Sequence, residues 1–391
     1  MKKILAMLLA LVMVLGLVAC GNTPAETTAP AESDPAASTP ETTAPVESDV
    51  EYKIAMITDY GDITDQSFNQ TTYEACKAFA DENGIDFTYY KPVGNSTAER
   101  VAMVDAAVID GYNVIVMPGF AFGETLAEVA DLYPDVKFVA LDVAEGEGGF
   151  TASENVYSAI YQEELSGYMA GYAAVKMGYK HLGFLGGMAV PAVQRFGYGF
   201  LQGVDAAAKE LNIVSDVVVE YIYGGAFAGD ADITGVMDVW YGEKAVECVF
   251  ACGGGIFTSA AEAAAKVGGK VIGVDVDQAA IIDGAYGEGM TVTSAMKGLA
   301  PTVNDVLTAI VLEDNWAAYA GKIETLGLVS ADPEANYVQL PMESTLWCDT
   351  FTQDDYKALV AAMFDGSLVV SGDISAMPTT EVVVNTYDNI K

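Results

Sequence analysis

The chain has 391 residues, of which 18 are basic and 55 acidic, giving a formal net charge of −37. A charge of this size and sign excludes the basic footprint that nucleic-acid binding needs. The length is too great for one ordinary hydrophobic core and suits two.

The first 19 residues have the pattern of a secretory signal peptide. Two lysines precede an apolar run, residues 4–18, which ends in small residues and is too short to span a membrane. A retained anchor helix is the alternative. The ending LVAC resembles a bacterial lipobox, which implies that cleavage leaves Cys20 as a lipidated first residue. We therefore expect a protein held on the extracytoplasmic face of the cell membrane by its lipid alone.

Residues 20–50 comprise this cysteine and a low-complexity segment. The sequence ETTAPAESD at 26–34 returns as ETTAPVESD at 41–49, and no large apolar side chain occurs between them. Such a segment cannot bury enough apolar surface to offset the entropy of ordering it. Its proline, threonine and acidic residues predict an extended, disordered tether.

From about residue 51, strand-like apolar runs alternate with helical stretches, which predicts parallel sheets covered on both faces in an α/β fold. The first series of runs lies at 52–58, 86–92, 113–119 and 137–142. A second series follows an expected long helix at 157–178 and has runs at 181–187, 216–225, 248–255 and 270–277. The predicted first lobe comprises 51–156 and about 278–320, and the second lobe 157–277 and about 321–391.

Ligands of open parallel sheets bind beyond the carboxyl ends of the strands. Two facing lobes would therefore share a cleft lined by the residues that follow each strand. The candidate ligand-binding residues are Asp59, Ser67, Phe68, Asn69, Asp142, Phe227, Gly253, Gly254, Asp275 and Lys297.

Two aromatic residues in this set, Phe68 and Phe227, could clamp a flat ring between the lobes. Stacking of one base on an aromatic side chain is worth about 1–3 kcal/mol. The alternative is that each phenylalanine is an ordinary core residue, because aromatics dominate cores.

The charged candidates suit a neutral polyol such as a sugar or a ribose better than an anion. Asp59, Asp142 and Asp275 could accept hydrogen bonds from hydroxyl groups, and Lys297 could donate them. Helix capping and turn formation are the alternatives for aspartates at strand–helix junctions, and Asp65 in particular has the position of a helix N-cap.

The sequence supplies little for catalysis or metal binding. It has no GxSxG elbow and no HExxH, and its single histidine, His181, has no obvious partner. A hydrolase that uses paired carboxylates is the enzymatic alternative, although no specific pair stands out. We expect neither enzyme activity, nor a cofactor, nor a metal.

The remaining cysteines lie in apolar sequence and are expected to be small core residues. Spacing alone cannot decide whether any of them form a disulfide. They are Cys76, Cys248, Cys252 and Cys348.

The run TDYGDITDQSFNQ (58–70) resembles the signature of the basic membrane lipoprotein family, and GVDVDQ (273–278) with TSAMK (293–297) supports the resemblance. Members are substrate-binding lipoproteins of ABC importers with a type I periplasmic-binding-protein fold, and purine nucleoside receptors are the best-understood among them. The resemblance extends over residues 51–391. Gln66 and Thr64 replace the usual Lys and Asp, which leaves the identity of the ligand open.

The resemblance implies a role for each candidate residue. Phe68 and Phe227 would stack on the base, and Ser67 could hydrogen-bond it. Asn69 would order the loop, and Asp59 and Asp142 would be the acids after strands one and four. Gly253 and Gly254 would offer backbone contacts, and Asp275 and Lys297 would hold the ribose hydroxyls.

The sequence therefore predicts a receptor whose two lobes close around a purine nucleoside. The expected partners are this ligand and the permease subunits of an ABC importer, and the protein itself is expected to be a monomer. A receptor of the same fold for a sugar or another small polar ligand, and a receptor without a transport role, are the alternatives.

Overall fold

The computed structural model describes residues 50–391, so the predicted signal peptide, Cys20 and the tether lie outside the described residues. Within them the predicted α/β fold is confirmed: two sheets, each covered by helices, form two lobes. None of the helices in this part of the chain is long and apolar enough to cross a membrane.

The first sheet has six strands, all parallel, in the spatial order β11-β5-β4-β3-β1-β2. Its strands are β1 (Lys53–Ile57), β2 (Asp86–Tyr90), β3 (Val114–Pro118), β4 (Lys137–Leu141), β5 (Val156–Tyr161) and β11 (Lys322–Leu326).

The second sheet has seven strands in the order β12-β10-β9-β8-β6-β7-β13, and only the short edge strand β12 is antiparallel to its neighbour. Its strands are β6 (His181–Gly186), β7 (Val218–Tyr223), β8 (Cys248–Cys252), β9 (Lys270–Asp275), β10 (Thr291–Lys297), β12 (Val338–Gln339) and β13 (Val383–Thr386).

Helices cover both faces of each sheet because successive residues of the buried strands point to opposite sides. In β1, for example, Ile54 belongs to one hydrophobic cluster and Ala55 and Ile57 to another. The helices are α1 (Phe68–Asn83), α2 (Thr97–Ile109), α3 (Phe122–Val129), α4 (Glu163–Lys176), α5 (Pro191–Glu210), α6 (Ala231–Gly242), α7 (Phe257–Ala265), α8 (Ala279–Tyr286), α9 (Leu299–Leu307) and α10 (Gln353–Phe364).

The prediction of a long helix over residues 157–178 is wrong for the first turns of that segment. Residues Val156–Tyr161 form strand β5, and the helix begins only at Glu163. The segment VYSAIY carries tyrosines and β-branched residues that fit a buried strand, with five of its six positions buried. The small residues of α4 continue the apolar pattern without a break, so no local signal marks where the strand ends and the helix begins.

The two sheets also divide the chain differently from the expected lobe boundaries. Residues Thr291–Lys297, expected in the first lobe, continue the second sheet because β10 pairs in parallel with β9. Residues Lys322–Leu326, expected in the second lobe, pair in parallel with β5 at the edge of the first sheet.

The chain consequently passes between the lobes three times, at residue 162, at residue 298 and over residues 327–337. The crossings are hydrogen-bonded side by side. The Gly298 N–H donates to the Tyr337 carbonyl (2.7 Å), the Tyr337 N–H to the Gly327 carbonyl (3.1 Å) and the Gln162 N–H to the Leu326 carbonyl (3.0 Å). Three crossings linked by backbone hydrogen bonds therefore join the two lobes.

The cysteines of the described region are unpaired. Cys76, Cys248 and Cys252 are buried, as expected for core residues. Cys348 is exposed instead, so the expectation of a core residue is wrong there; it lies in a turn whose backbone pairs with that of Phe351.

Candidate functional site

A cavity of about 630 Å³ lies between the carboxyl ends of the strands of the two sheets. The first lobe contributes residues that follow β1, β2, β3 and β4. The second lobe contributes the start of α5, the segments after β7 and β8, and the last residues of β9 and β10. Nine of the ten candidate residues lie in its wall, namely Asp59, Phe68, Asn69, Asp142, Phe227, Gly253, Gly254, Asp275 and Lys297.

Ser67 lies behind the wall of the cavity. It is fully buried, and its hydroxyl donates a 2.6 Å hydrogen bond to Asp275 Oδ2 across the two lobes. A second bond between the lobes runs from Gln278 Nε2 to the Gln66 carbonyl (3.1 Å). The structure therefore gives Ser67 a contact with Asp275 in place of an open position facing a ligand.

The polar loop after β1 is held in shape by Asp65. Its carboxylate accepts hydrogen bonds from the backbone N–H groups of Ser67 (3.0 Å), Asn69 (2.9 Å) and Gln70 (3.0 Å), and from the Asn69 side chain (3.0 Å). These are donors at the start of α1 that the helix itself leaves unpaired. The carboxylate of Asp65 therefore caps the helix as predicted, but the N-cap position itself is Ser67, and Phe68 is the first residue of α1.

Asp59 lies two residues after β1, and backbone N–H groups of its own loop hold its carboxylate. Oδ1 accepts from the N–H groups of Tyr60 (2.6 Å) and Gly61 (2.8 Å). Burial raises the pKa of Asp59, and these two hydrogen bonds offset only part of that rise. Gly119 packs against the other oxygen at φ +127°, where a Cβ would lie 2.7 Å from Oδ2, so this position needs glycine.

The two aromatic candidates enter the cavity from opposite lobes. Phe68 comes from α1, and Phe227 comes from the loop after β7. The Phe227 ring lies so close to Gly187 and Gly253 that a Cβ on either glycine would overlap it. The glycines after β6 and β8 therefore make room for this ring.

Lys297 is surrounded by carboxylates from three different elements. Its Nζ lies 2.5 Å from Asp142 Oδ2, 3.4 Å from Glu163 Oε1 and 3.8 Å from Asp275 Oδ1. Burial by itself lowers the pKa of Lys297, but the three carboxylates outweigh it and the net shift is upward. The ammonium therefore stays charged inside the cavity wall.

Three aromatic rings complete the surroundings of this ammonium. Lys297 Nζ lies 4.6 Å from the ring centre of Phe68, 5.4 Å from that of Tyr161 and 5.7 Å from that of Phe196. Cation–π attraction at these distances contributes roughly 0.5–2 kcal/mol each. A ring stacked on Phe68 would therefore lie beside a fixed positive charge.

Asp142 and Asp275 occupy matching places in the two lobes, each at the carboxyl end of a central strand. Both have left-handed backbone, with φ +62° and φ +65°, which aspartate tolerates better than most residues. Burial raises the pKa of Asp142 to about 6, with Lys297 opposing the rise and Glu163 adding to it. Burial likewise raises the pKa of Asp275.

Some polar atoms of the wall have no hydrogen-bond partner within the described residues. They are Asn69 Oδ1, Asp142 Oδ1 and the Tyr60 hydroxyl, and all three are buried. A buried polar atom left unpaired costs about 1–3 kcal/mol, and a partner supplied by a ligand would remove that cost only if it can reach these atoms.

The charge of the wall argues against anionic ligands. Two ammonium groups, Lys91 and Lys297, face the carboxylates of Asp59, Asp62, Asp65, Asp142 and Asp275. Lys91 is already paired with Asp62 at 2.6 Å. An anion would therefore meet an excess of negative charge.

Sequence reasoning missed several residues of the site. Tyr60 and Phe120 line the cavity just after strands β1 and β3, so the strand-end rule could have found them. Phe196 reaches the cavity from α5, and its apolar pattern is that of a core residue. Glu163 and Arg195 lie behind the wall, and nothing local in the sequence distinguishes them from a helix-end acid and a surface base.

Two α/β lobes joined by three crossings, with one cavity at the carboxyl ends of both sheets, define a solute-binding protein of the type I periplasmic-binding-protein fold. A crystal structure of an ABC transporter solute-binding protein from Aeropyrum pernix has the same fold. It covers 81% of this chain and 87% of its own, with a TM-score of 0.63 and 22% identity.

The family described as "ABC transporter substrate-binding protein PnrA-like" matches residues 52–331, and this chain belongs to that family. The "ABC transporter nucleoside-binding protein BmpA" of Lactococcus lactis is 30% identical over 239 residues, which span 58% of this chain and 64% of that protein. "Basic membrane protein B" of Borreliella burgdorferi is 25% identical over 292 residues, 73% of this chain and 81% of that protein. The resemblance to the basic membrane lipoproteins is thereby confirmed.

Proposed function

We propose that this chain is the lipid-anchored, extracytoplasmic receptor of an ABC importer and that it binds a purine nucleoside between its lobes. The observation that carries the proposal is the combination of two aromatic rings from opposite lobes, Phe68 and Phe227, with Asp142, Asp275 and Lys297 in one cavity. The rings suit a base, and the charged groups suit the hydroxyls of a ribose.

Size and charge of the cavity agree with this ligand class. A volume of about 630 Å³ lies within the range of pockets that enclose small molecules, roughly 300–1,000 Å³. The excess of carboxylates favours an uncharged nucleoside over a nucleotide. The relative from Lactococcus lactis is named as a nucleoside-binding protein, which supports the same ligand class.

In the proposed mechanism the three crossings between the lobes act as a hinge. Each lobe carries part of the binding groups, so a ligand that contacts both lobes favours the closed arrangement by its differential affinity. The closed protein would then dock on permease subunits in the membrane, as a monomer, while its lipid on Cys20 keeps it at the surface. The ligand undergoes no chemical change in this scheme.

A thermal-shift screen of the full chain in mild detergent tests the proposal, with nucleosides, free bases, ribose and hexoses as probes. A ligand present at 100 times its dissociation constant stabilises the native state by about 2.7 kcal/mol. We expect inosine, guanosine or adenosine to raise the melting temperature and free ribose to leave it unchanged. A melting-temperature shift with sugars alone would make a sugar the ligand in place of a nucleoside. No shift with any nucleoside at millimolar concentration would refute the proposed nucleoside ligand.

A further inference from the structure

Glu163 is the one carboxylate around Lys297 that does not line the cavity. It is completely buried and is the first residue of α4, directly after the first crossing between the lobes. Asp142 and Asp275, by contrast, both belong to the cavity wall. The three carboxylates on the same ammonium therefore have different access to a ligand.

Both oxygens of Glu163 are engaged by cations. Oε2 accepts a 2.6 Å hydrogen bond from Arg195 Nε, and Oε1 lies 3.4 Å from Lys297 Nζ. Arg195 is itself mostly buried, at 15% side-chain exposure. A planar guanidinium fixes the orientation of the carboxylate it binds, so the position of Oε1 beside Lys297 is set by Arg195.

The backbones that carry this pair are also fixed. Helices α4 and α5 pack in direct contact through glycines: Gly167 lies against the Phe196 carbonyl, and Gly199 lies against the Glu164 carbonyl. A side chain at either position would force the helices apart. These glycine contacts thus fix the spacing of α4 and α5, the two helices that carry Glu163 and Arg195.

We propose that Glu163 is a positioning residue that holds the Lys297 ammonium at the hinge side of the cavity. The ligand role of Lys297 in this inference rests on the proposed function. When ligand hydroxyls donate hydrogen bonds to Asp142 and Asp275, those carboxylates interact with both the ligand and Lys297. Glu163 then remains the one carboxylate that interacts with Lys297 alone among these groups. Glu163 thereby sets ligand affinity without touching the ligand.

The test compares Glu163→Gln and Glu163→Asp with wild type, using the full chain in mild detergent. One measurement needs no ligand: the rate at which acetic anhydride acetylates Lys297, followed by peptide mass spectrometry. The other is the dissociation constant for inosine, guanosine or adenosine, by isothermal titration calorimetry. Glu163→Gln removes the negative charge and should raise both the acetylation rate of Lys297 and the dissociation constant by about tenfold. This is the factor expected for one charge-assisted hydrogen bond.

Two matched controls separate positioning from general destabilisation. Glu164→Gln alters the adjacent carboxylate, which is buried but whose Oε2 has no partner among the described residues. Glu220→Gln alters a buried carboxylate that binds Lys244 and lies outside the cavity wall. Both controls should leave Lys297 acetylation and nucleoside affinity as in wild type.

Glu163→Asp keeps the charge but is one methylene shorter, so its values should fall between those of wild type and Glu163→Gln. It also serves as the test if Glu163→Gln does not fold. Wild-type acetylation of Lys297 in the folded variants would overturn the inference, as would an equal loss of affinity in Glu220→Gln. If wild type binds no nucleoside while Glu163→Gln still exposes Lys297, the proposed ligand is wrong and the positioning role stands.

Discussion

The second lobe contains another buried carboxylate beside a lysine, and it contrasts with the one at the cavity. Glu220 on β7 accepts hydrogen bonds from Lys244 Nζ (3.1 Å), Asn385 Nδ2 (3.2 Å) and the Tyr387 hydroxyl, and it lies 3.1 Å from His181 Nε2. Burial raises the pKa of Glu220, but these hydrogen bonds outweigh it and hold the pKa below its usual value.

Asp142 has the opposite balance. One of its oxygens accepts from Lys297, while Oδ1 is buried without a partner within the described residues. Its pKa is raised to about 6 because burial exceeds the effect of the lysine. A carboxylate whose oxygens all accept hydrogen bonds stabilises the fold, whereas a carboxylate with an unpaired oxygen in a cavity wall is suited to bind a ligand.

The largest expected effect on ligand affinity comes from removing an aromatic ring from the cavity that Asp142 also lines. Phe68→Ala and Phe227→Ala should each weaken nucleoside binding by about 1–3 kcal/mol, roughly 5–150-fold, because a stacked base loses its platform. Calorimetric titration measures the loss, with Phe364→Ala on the exposed side of α10 as the control. An affinity within a few-fold of wild type would mean that neither ring contacts the base.

The pH dependence of stability should differ in sign between the two carboxylates. The pKa of Asp142 is raised to about 6, so its contribution is fully present below the unfolded pKa near 4 and is lost as pH rises towards 6. Stability of wild type relative to Asp142→Asn should fall by on the order of 2–3 kcal/mol across that window. Glu220, whose pKa is lowered, should contribute stability above its unfolded pKa and lose it as pH falls.

Urea denaturation of wild type, Asp142→Asn and a Glu220 variant at several pH values measures these slopes. Parallel slopes for the two sites would contradict the contrast between them. The slope at Asp142 should also flatten when nucleoside is bound, because hydroxyl donors stabilise its ionised form.

The smallest effect in this series concerns stability alone. Glu220→Gln should lower the free energy of unfolding by about 2 kcal/mol at neutral pH, since hydrogen bonds to a charged group are weakened. Nucleoside affinity should stay at the wild-type value because Glu220 does not line the cavity. If Glu220→Gln lost nucleoside affinity but kept its stability, the structural role assigned to Glu220 would be wrong.

The sequence predicted those parts of the site that depend on local rules. Asp59, Asp142 and Asp275 follow buried strands, and parallel strands bring their carboxyl ends to one edge, so their common location could be inferred. The capping role of Asp65 follows from its place before α1. Both inferences use only neighbours along the chain.

The parts that could not be predicted depend on contacts between distant segments. Ser67 and Asp275 are 208 residues apart, and only the packing of the lobes makes them partners. Glu163 pairs with Arg195 because two helices meet through glycines. The lobe boundaries were misplaced since the crossing after β10 carries no local signal.

The three crossings also govern the order in which the protein can be completed during synthesis. Strand β11, the edge of the first sheet, follows β6 to β10 of the second sheet along the chain. Until residues 322–326 emerge, β5 is left as an open edge, ready to pair with another strand. The second sheet in turn waits for β13 near residue 385. Neither sheet is therefore complete until strands from near the end of the chain have been made.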